Sequence, residues 1–255
     1  MNLTGWLYKV YARRLRRQLR SAPLPRHVAL VMDGNRRWAR QAGLDDPSEG
    51  HRHGAEHLDD VLKWCTGLGI DHVTVYLASS DNLRKRDSGE IAHLMSMIEQ
   101  VVTERLMSPD GKWRLHLAGR LDQLPASTAA ALEAARDTTA ERELHLTVAI
   151  GYDGHEEIVD AVRSLIGREA TSGGDIAELA ERIEPEDIAA HLHASGLPEP
   201  DLVIRTSGER RMSGFLPWQT VRSELYFTEA YWPGFRYIDF LRALRAYATR
   251  LRHAA

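Results

Sequence analysis

The sequence is poor in cysteine and in long apolar runs, and each shortage excludes a class of protein. A single cysteine, Cys65, among 255 residues cannot form an internal disulfide and suits a reducing compartment. No apolar run approaches the length that spans a bilayer, and the first residues lack the apolar core of a secretory signal. With 43% hydrophobic and 27% charged residues, the composition is typical of one large globular domain, which we expect to be cytoplasmic.

The net charge of −3 is small, but its distribution is uneven. Residues 1–40 contain ten Lys or Arg and one acidic residue, Asp33, so the rest of the chain carries a net charge of −12. A basic front end indicates an anionic partner such as phospholipid or a diphosphate. We expect no nucleic-acid partner.

The basic front end is also amphipathic, which predicts a separate N-terminal helix over residues 1–22, before a domain that spans residues 23–255. Arginines cover one side of this helix. Its apolar stripe contains Leu3, Leu7, Tyr11 and Leu15, widened by Trp6, Val10 and Leu19. A basic amphipathic helix with Trp is typical of contact with an anionic membrane, but the same stripe fits docking on the protein's own body or on a partner subunit.

Apolar strands alternate with amphipathic helical patterns along the rest of the chain. This alternation predicts an α/β fold, a single domain in which helices flank a central, mostly parallel sheet on both faces. The predicted strands are Val28–Met32, Val73–Leu77, Leu115–Ala118, Leu144–Ile150 and Leu202–Ile204. The predicted helical stretches are 58–68, 91–102, 126–136 and 158–165.

Polar residues follow directly after the predicted strands. They include Asp33-Gly-Asn, Ser79-Ser-Asp-Asn82, Gly119, Gly151-Tyr-Asp-Gly154 and Arg205. In open α/β sheets, ligands bind beyond the carboxyl ends of the strands. We therefore expect these segments to converge on one site.

Residues 201–228 are the most informative segment. An apolar strand runs into Arg205, and Arg211 and Ser213 follow six and eight residues later. Two guanidiniums and a hydroxyl at a strand end are typical of a site for a multiply charged phosphate ester. Glu224 adds a carboxylate close by in sequence, and a carboxylate beside phosphate-binding arginines often serves a divalent metal. The alternative is a solvated turn with scattered charges.

Residues 28–39 form the second informative segment. A buried strand is broken by Asp33-Gly-Asn, and the residues from Arg36 to Gln41 then have helical character. A strand–turn–helix unit leaves free backbone N–H groups at the start of the helix. Asp-Gly also occurs in hairpin turns, but the residues after Asn35 do not alternate as a second strand would.

Together these segments resemble the cis-prenyltransferases, the family of undecaprenyl diphosphate synthase. The resemblance covers about residues 23–252 and is strongest to the actinobacterial short-chain (Z)-prenyl, farnesyl-type synthases. The segment from His27 to Ala39 fits the family pattern H-x-x-x-x-M-D-G-N-x-R-W-A. The other matching pieces are Gly50-His51 with Gly54-Ala55, Tyr76 to Asn82, and Asp201 to Phe227.

The resemblance implies an activity and a set of site residues. The enzyme would condense isopentenyl diphosphate with a short allylic diphosphate such as geranyl diphosphate, with Mg²⁺ as cofactor, as a homodimer that contacts anionic membrane peripherally. The residues implied in turnover are Asp33, Asn35 and Asn82, and the metal ligands are Asp33 and Glu224. The residues implied in binding the allylic diphosphate are Gly34, Arg36, Arg37 and His51. Trp38, Ser79, Lys85 and Arg86 are implied in substrate binding without assignment to one of the two substrates. Those implied for isopentenyl diphosphate are Arg205, Arg211 and Ser213.

The chain departs from the family pattern at several positions that bear on substrate preference. The Arg that the family shows three residues after Asn82 is Lys85 here, with Arg84 and Arg86 adjacent, so the phosphate ligand among these three is left open. Other departures are Arg36 for Gly, Ala78 for Phe, Arg120 for an acidic residue, and His155 for Arg.

Product length is expected to depend on Leu77 and Ala78, which end the strand that leads into Ser79. A branched side chain at Leu77 would block a growing chain early, which predicts a short product, about C15, because packed interiors do not readily yield. Alternatively, Leu77 points into the sheet core and Ala78 faces the tunnel. Three rival functions stay open: a long-chain polyprenyl synthase, a head-to-middle synthase of branched products, and a non-catalytic partner subunit.

Overall fold

A six-stranded sheet forms the centre of the molecule in the computed structural model, which describes residues 3–46, 48–85 and 88–254. The spatial order is β3-β4-β2-β1-β5-β6, and each of these neighbouring pairs is parallel. The strands are β1 (His27–Val31), β2 (His72–Ser79), β3 (Trp113–Ala118), β4 (Leu144–Tyr152), β5 (Leu202–Arg205) and β6 (Glu224–Phe227). The predicted α/β class with a central parallel sheet is confirmed.

Helices connect the strands and cover both faces of the sheet, because parallel neighbours need long crossover connections. They are α1 (Leu3–Leu19), α2 (Asn35–Gln41), α3 (Glu49–Thr66), α4 (Ser80–Lys85), α5 (Ser88–Val101), α6 (Ala126–Thr138), α7 (Gly154–Thr171), α8 (Ile176–Arg182), α9 (Pro185–Ala189) and α10 (Tyr237–Ala254). A π-helical turn, Val102–Leu106, extends α5, and short 3-10 turns occur at Leu121–Gln123 and Trp232–Gly234.

The five predicted strands are all present, and the sixth strand, β6, was missed. Apolar-rich runs of three to seven residues marked the five because most of their residues are buried, although β3, at the opposite edge, has an exposed Arg114. Strand β6 has only four residues, lies at the edge of the sheet and is half-exposed. Such a strand carries no continuous apolar signal.

Two apolar clusters lie on opposite faces of the sheet. Alternate residues of one strand contribute to each, since successive side chains point to opposite faces. In β1, Val28 and Leu30 join the larger cluster, whereas Ala29 and Val31 join the smaller one. The larger cluster also contains residues of α3, α5, α6 and α10, so the main core lies between the sheet and these helices.

Helix α1 packs against α10 with part of its apolar stripe. Ala12, Leu15 and Leu19 are buried in the main cluster, and the backbone N–H of Ile238 donates to the hydroxyl of Tyr8 at 3.3 Å. The docked alternative from the sequence therefore holds for this side of the helix. The predicted boundary between residues 22 and 23 falls in the connection from α1 to β1.

The other part of the stripe is exposed in the single chain. Trp6, Leu7 and Val10 are 48%, 51% and 40% exposed, and arginines flank them. The side chain of Leu3 lies outside the described side chains. Within the described ranges, no helix is both long and apolar enough to cross a bilayer.

Candidate active site

The carboxyl ends of four strands converge on one cavity of about 1090 Å³. Asp33 follows β1, Ser79 ends β2, Asp153 follows β4 and Arg205 ends β5. Four of the five predicted segments therefore converge, whereas Gly119, after β3, is not among the described residues that line the cavity. Most of the predicted site residues line this cavity: Asp33, Gly34, Asn35, Arg36, Arg37, His51, Leu77, Ala78, Ser79, Asn82, Arg205, Arg211 and Ser213.

The Asp33-Gly34-Asn35 turn is fixed by contacts that only glycine permits. Gly34 has φ of 102°, in the left-handed region, and a Cβ there would lie 2.7 Å from the ring of Tyr231. The backbone N–H of Trp232 donates to the carbonyl of Asp33 at 3.0 Å, and the Asn35 amide donates to the carbonyl of Met32 at 2.9 Å. The turn is thus held from both sides before any ligand binds.

Helix α3 approaches this turn through two glycines one helical turn apart. A Cβ at Gly50 would lie 2.2 Å from the carbonyl oxygen of Asn35, and one at Gly54 would lie 2.3 Å from Asn35 Oδ1. Trp232 Nε1 donates to the carbonyl of Gly54 at 2.8 Å. The Gly50-His51 and Gly54-Ala55 motif is therefore explained by close packing, which also brings His51 to the cavity wall.

Arg205 and Asp33 form an ion pair across β5 and β1. Both Nη2 and Nε of Arg205 donate to Asp33 Oδ2, at 2.6 and 3.0 Å. The Arg205 side chain is only 6% exposed, whereas that of Asp33 is 38% exposed. Arg205 Nη1 also donates to Ser213 Oγ at 3.0 Å and to the backbone carbonyl of Arg211. One buried guanidinium thus connects the two sequence motifs.

Two serines in the Arg205 loop adopt left-handed backbone conformations. Ser207 has φ of 77° and Ser213 has φ of 51°. Such conformations cost non-glycine residues about 1–3 kcal/mol each and cluster at functional sites. Here they follow the strand end, and the loop returns far enough for Ser213 Oγ to accept from Arg205 Nη1.

Three further arginines border the cavity with exposed or bridging guanidiniums. Arg37 Nη2 donates to Ser207 Oγ at 2.8 Å, and its guanidinium lies 5.3 Å from the ring centre of Tyr231. Arg36 and Arg211 have side chains that are 49% and 74% exposed, with carboxylates 3.6 and 3.5 Å away. This arrangement of cations is suited to binding phosphate oxygens.

Helix α4 places Asn82 at the cavity, whereas its cationic side chains, Arg84 and Lys85, are held in ion pairs. The Asn82 backbone N–H donates to Ser79 Oγ at 2.9 Å. Lys85 Nζ donates to Asp81 at 2.6 Å, and Arg84 contacts both Asp81 and Glu156. Neither cation is among the described residues that line the cavity. The expectation for Lys85 therefore does not fit its placement, and Arg86 lies outside the described residues.

Trp38 was expected at the substrate site but lines a different cleft. Its indole lies 5.0 Å from the His53 ring and borders a separate pocket of about 500 Å³ with Tyr231 and Gly234. The reason is helical geometry: in α2, Arg36 and Arg37 face the cavity, whereas Trp38 lies on the far side of the same turn.

Glu224 was expected to share a metal with Asp33, and the structure contradicts this within one chain. Strands β5 and β6 are parallel, and Glu224 is level with Leu202 at the start of β5, three residues from Arg205. That offset is about 10 Å along the sheet. The Glu224 carboxylate instead pairs with Arg250 at 3.3 Å.

Two cavity residues lie in segments that the sequence singled out but were not among the predicted site residues. Tyr76 donates its hydroxyl to the carbonyl of Tyr152 at 3.2 Å, and burial raises the pKa of Tyr76 to about 12, so it stays protonated. Asp153 caps α7 by accepting the backbone N–H groups of His155 and Glu156 at 2.9 and 3.1 Å. The polar signal after β4 in the sequence could have identified Asp153.

The donor set fits Mg²⁺ held mainly by a diphosphate. Within the described residues, no group of three or more His, Cys, Asp or Glu side chains could hold a metal ion. Asp33 offers one carboxylate, and Arg205 contacts only its Oδ2. Mg²⁺ usually binds through one or two carboxylates with substrate phosphates and water. Asp33 would supply the protein ligand.

The interior of the cavity is apolar and runs between the sheet and α3, α5 and α6. An irregularity in β2 places Leu77 between Tyr76, level with Ala149, and Ala78, level with Ile150. Leu77 and Ala78 consequently both border the cavity, and the two alternatives for their orientation do not exclude one another. The deeper apolar walls are formed by Leu58, Leu62, Val75, Leu94, Met97, Ile98, Val101, Val102, Leu132, Leu146 and Val148.

Comparison with known proteins gives consistent matches over nearly the whole chain. A family model described as putative undecaprenyl diphosphate synthase matches residues 31–255. An isoprenyl transferase of Streptomyces fradiae is 52% identical, over 99% of this chain and 98% of the relative. The (2Z,6E)-farnesyl diphosphate synthase of Mycolicibacterium smegmatis is 48% identical, over 96% of this chain and 94% of the relative.

A solved structure gives the same result. Lavandulyl diphosphate synthase from Lavandula x intermedia, in complex with dimethylallyl diphosphate, superposes with a TM-score of 0.81 at 29% identity. The match covers 88% of this chain and 95% of that chain. The chain therefore belongs to the undecaprenyl diphosphate synthase family, and it is a prenyltransferase of the cis type.

Proposed function

We propose that this enzyme condenses isopentenyl diphosphate with a short allylic diphosphate, forms a Z double bond and releases a short product of about farnesyl length. The observation that carries the proposal is the single cavity of about 1090 Å³ that joins a cationic rim to an apolar interior. A prenyl diphosphate has the same two parts. The names of the mycobacterial relatives support the short product.

The reaction breaks the allylic C1–oxygen bond and one C–H bond of isopentenyl diphosphate, and it forms a new C–C bond and a shifted double bond. The allylic C1–oxygen bond breaks, and pyrophosphate leaves with the electron pair. The double bond of isopentenyl diphosphate attacks C1, and a proton leaves its C2 to form the new Z double bond. The proton passes to a base, for which a pyrophosphate oxygen and a side chain are both candidates.

The rim around Asp33 would bind the allylic diphosphate. Arg36 and Arg37 supply cationic donors, and the Gly34 turn adds backbone N–H groups at the start of α2. When bound at Asp33, Mg²⁺ supplies charge neutralisation to the leaving pyrophosphate. Preorganised positive charge of this kind stabilises negative charge that develops as the bond breaks.

Arg205, Arg211 and Ser213 would bind isopentenyl diphosphate. Arg205 and Ser213 are already in contact at 3.0 Å, so their donors are aligned, and Arg211 is free to swing because it is largely exposed. Asp33 and Arg205 would then exchange their mutual contact for substrate contacts. The exchange keeps each charge neutralised.

Asn35 and Asn82 would support turnover in different ways. The Asn35 amide is committed to the carbonyl of Met32 and packs on Gly54, so it holds the turn in place. Asn82 is at the cavity wall on α4, anchored by Ser79. His51 and Ser79 line the same wall and are suited to phosphate contacts.

A head-to-middle synthase of branched products is the second candidate. The superposition with lavandulyl diphosphate synthase favours it, because that enzyme's structure resembles this one over most of both chains. A long-chain polyprenyl synthase is the third candidate, and the family description favours it. The linkage and length of the product separate the three.

Two surfaces are suited to peripheral partners. The exposed side chains of Trp6, Leu7 and Val10, beside the arginines of α1, would contact anionic lipid. Strand β6 is an edge strand, with Val221 and Leu225 80% and 41% exposed nearby, and would form the interface of a homodimer.

One assay tests the proposed function. The purified protein is incubated with labelled isopentenyl diphosphate, Mg²⁺ and dimethylallyl, geranyl or farnesyl diphosphate, and the products are sized and their linkage is determined. We expect a short linear Z product that disappears when EDTA is added. A polyprenyl ladder, a branched product or no product would each refute the short-chain proposal.

A further inference from the structure

The cavity does not end at Leu77. Beyond Val75 and Leu146, it reaches the first residue of β3, Trp113. The register places Trp113 level with Leu144, at the amino-terminal edge of the sheet. From Ser79 to this edge the cavity spans about 25 Å along the strands. Leu77 therefore narrows the cavity near the rim but does not close it.

The deep end of the cavity is polar, in contrast to its walls. Its lining includes Asp59, Arg105, Gly111, Lys112 and Arg142. Charged side chains make no favourable contacts with a hydrocarbon chain. The rest of the interior is lined mainly by aliphatic residues. The change from aliphatic to charged lining marks a boundary inside the cavity.

Asp59 and Arg105 form an ion pair at this boundary. Arg105 Nη1 contacts Asp59 Oδ2, and the two side chains are 37% and 34% exposed. The pair joins α3 to the π-helical turn Val102–Leu106, which widens the end of α5. Both partners are flanked on their own elements by apolar lining residues: Leu58 and Leu62 beside Asp59, and Val102 and Leu106 beside Arg105.

Arg142 forms the wall next to the pair. Its guanidinium donates to the backbone carbonyls of Leu106 and Ser108 at 2.6 and 2.8 Å, and to that of Trp113 at 3.4 Å. A Cβ at Gly111 would lie 2.4 Å from Arg142 Nη1, so the guanidinium lies directly against the loop backbone. These bonds fix the loop after the π-helical turn across the end of the cavity.

We propose that the Asp59–Arg105 ion pair is a second limit on product length, deeper than Leu77 and electrostatic in nature. A prenyl chain that reached the pair would remove water from two ionised groups. Dehydrating these two groups costs more free energy than the burial of a few additional methylene groups provides. Growth therefore stops before the chain covers the pair, even where space remains.

This inference rests on the proposed condensation and adds a residue pair that determines the length of its product. Leu77 and the ion pair act in series: Leu77 limits the wild-type product, and the pair limits the product once Leu77 is made small. The two limits differ in kind, because the first is a matter of side-chain volume and the second of charge.

The test compares product ladders in the Leu77→Ala background with excess isopentenyl diphosphate. We expect Leu77→Ala to give a ladder with a sharp end, and Leu77→Ala with Asp59→Leu and Arg105→Leu to extend that end by at least one isoprene unit. Both partners are replaced together because a single replacement leaves a charge unpaired. An identical ladder end in the two proteins, both folded by circular dichroism, would overturn the proposal.

A neutral polar pair separates charge from volume. Asp59→Asn with Arg105→Gln keeps similar side-chain sizes and removes both charges, and it should also lengthen the ladder. Lengthening by the leucine pair alone would mean that volume sets the limit and would refute the electrostatic stop. The control replaces the exposed pair Asp60 and Lys63 on α3, outside the cavity lining, and should change nothing.

Measuring the affinity for long prenyl diphosphates tests the ion pair independently of the condensation reaction. Without isopentenyl diphosphate, we expect geranylgeranyl diphosphate and its longer homologues to bind about tenfold or more tightly when the leucine pair is added to Leu77→Ala. Unchanged affinities would count against the pair as a limit. Absence of condensation with the predicted change in affinity would instead refute only the proposed function.

Discussion

The buried guanidinium of Arg205 is neutralised by Asp33, whose Oδ2 lies 2.6 Å from Arg205 Nη2. The two residues belong to motifs 172 positions apart in the sequence and are proposed to bind different diphosphates. The carboxylate of Asp33 neutralises a guanidinium that is only 6% exposed. The pair therefore links the two proposed diphosphate sites directly.

Asp33→Ala should reduce turnover by about 100-fold or more, as expected for loss of a group that organises charge in the transition state. It should also lower the free energy of unfolding by about 1–3 kcal/mol, because Arg205 is left buried without its carboxylate. Added pyrophosphate should restore part of this stability. Asp33→Asn, which keeps an oxygen acceptor, should recover stability but not turnover. Wild-type turnover in Asp33→Ala would refute the site assignment.

Arg211→Ala should raise KM for isopentenyl diphosphate by about 10- to 100-fold. This factor corresponds to the free energy of one charge-assisted phosphate contact. Thermal stability should not change, because the side chain is 74% exposed. The neighbouring Arg210 is exposed and does not line the cavity among the described residues, so Arg210→Ala is a matched control. Equal effects of the two variants would show that only general positive charge matters.

Leu77→Ala should lengthen the product and cost little stability. Truncating a buried leucine in a filled core lowers the free energy of unfolding by about 2–5 kcal/mol. Because Leu77 already borders a cavity, the decrease should be smaller here. Chromatographic sizing of the products and thermal unfolding check both parts. Leu124→Ala, at a buried position outside the cavity lining, should show the opposite behaviour, with lower stability and an unchanged product.

The free energy of unfolding should decrease as the pH falls from about 6.5 to about 4. Burial lowers the pKa of His27 to about 4, although a hydrogen bond to the carbonyl of Pro198 opposes the shift. In this window the unfolded chain binds a proton at His27 that the folded chain does not, so acid favours unfolding by about 1.4 kcal/mol per pH unit. His116, with a pKa also lowered to about 4, adds a smaller effect because it is half-exposed.

Urea unfolding at several pH values measures this slope. His27→Gln should flatten it by up to about 1.4 kcal/mol per pH unit, whereas replacement of the exposed His155 should leave it unchanged. A wild-type slope in His27→Gln would mean that other groups cause the acid sensitivity.

Membrane association should depend on the exposed face of α1 and not on the whole helix. Replacing Trp6, Leu7 and Val10 by serine should reduce co-sedimentation with anionic vesicles at low salt and leave turnover on short substrates intact. Deleting residues 1–20 is a poorer test, because Leu15 and Leu19 are buried against the main core. Equal co-sedimentation of the serine variant and the wild type would refute the membrane contact.

The order of strands and helices and the positions of the two main motifs could be predicted from the sequence. Five strands are rich in buried apolar residues, which makes them visible in the sequence, and polar residues mark their carboxyl ends. The convergence of Asp33, Ser79 and Arg205 then follows from the geometry of a parallel sheet. Strand β6 could not be predicted in this way because it is short and half-exposed.

The sequence by itself determined the family, the α/β class and most of the polar residues at the cavity rim, because these depend on local patterns and on motif spacing. Only the tertiary structure decided which motif residues face away from the cavity, as Trp38 does, and that Glu224 lies at the opposite end of its strand from Arg205. It also decided that Asp59 meets Arg105, which lies 46 residues away on another element. Strand register and helix packing set such contacts, and both depend on the whole core, which no local pattern of residues records.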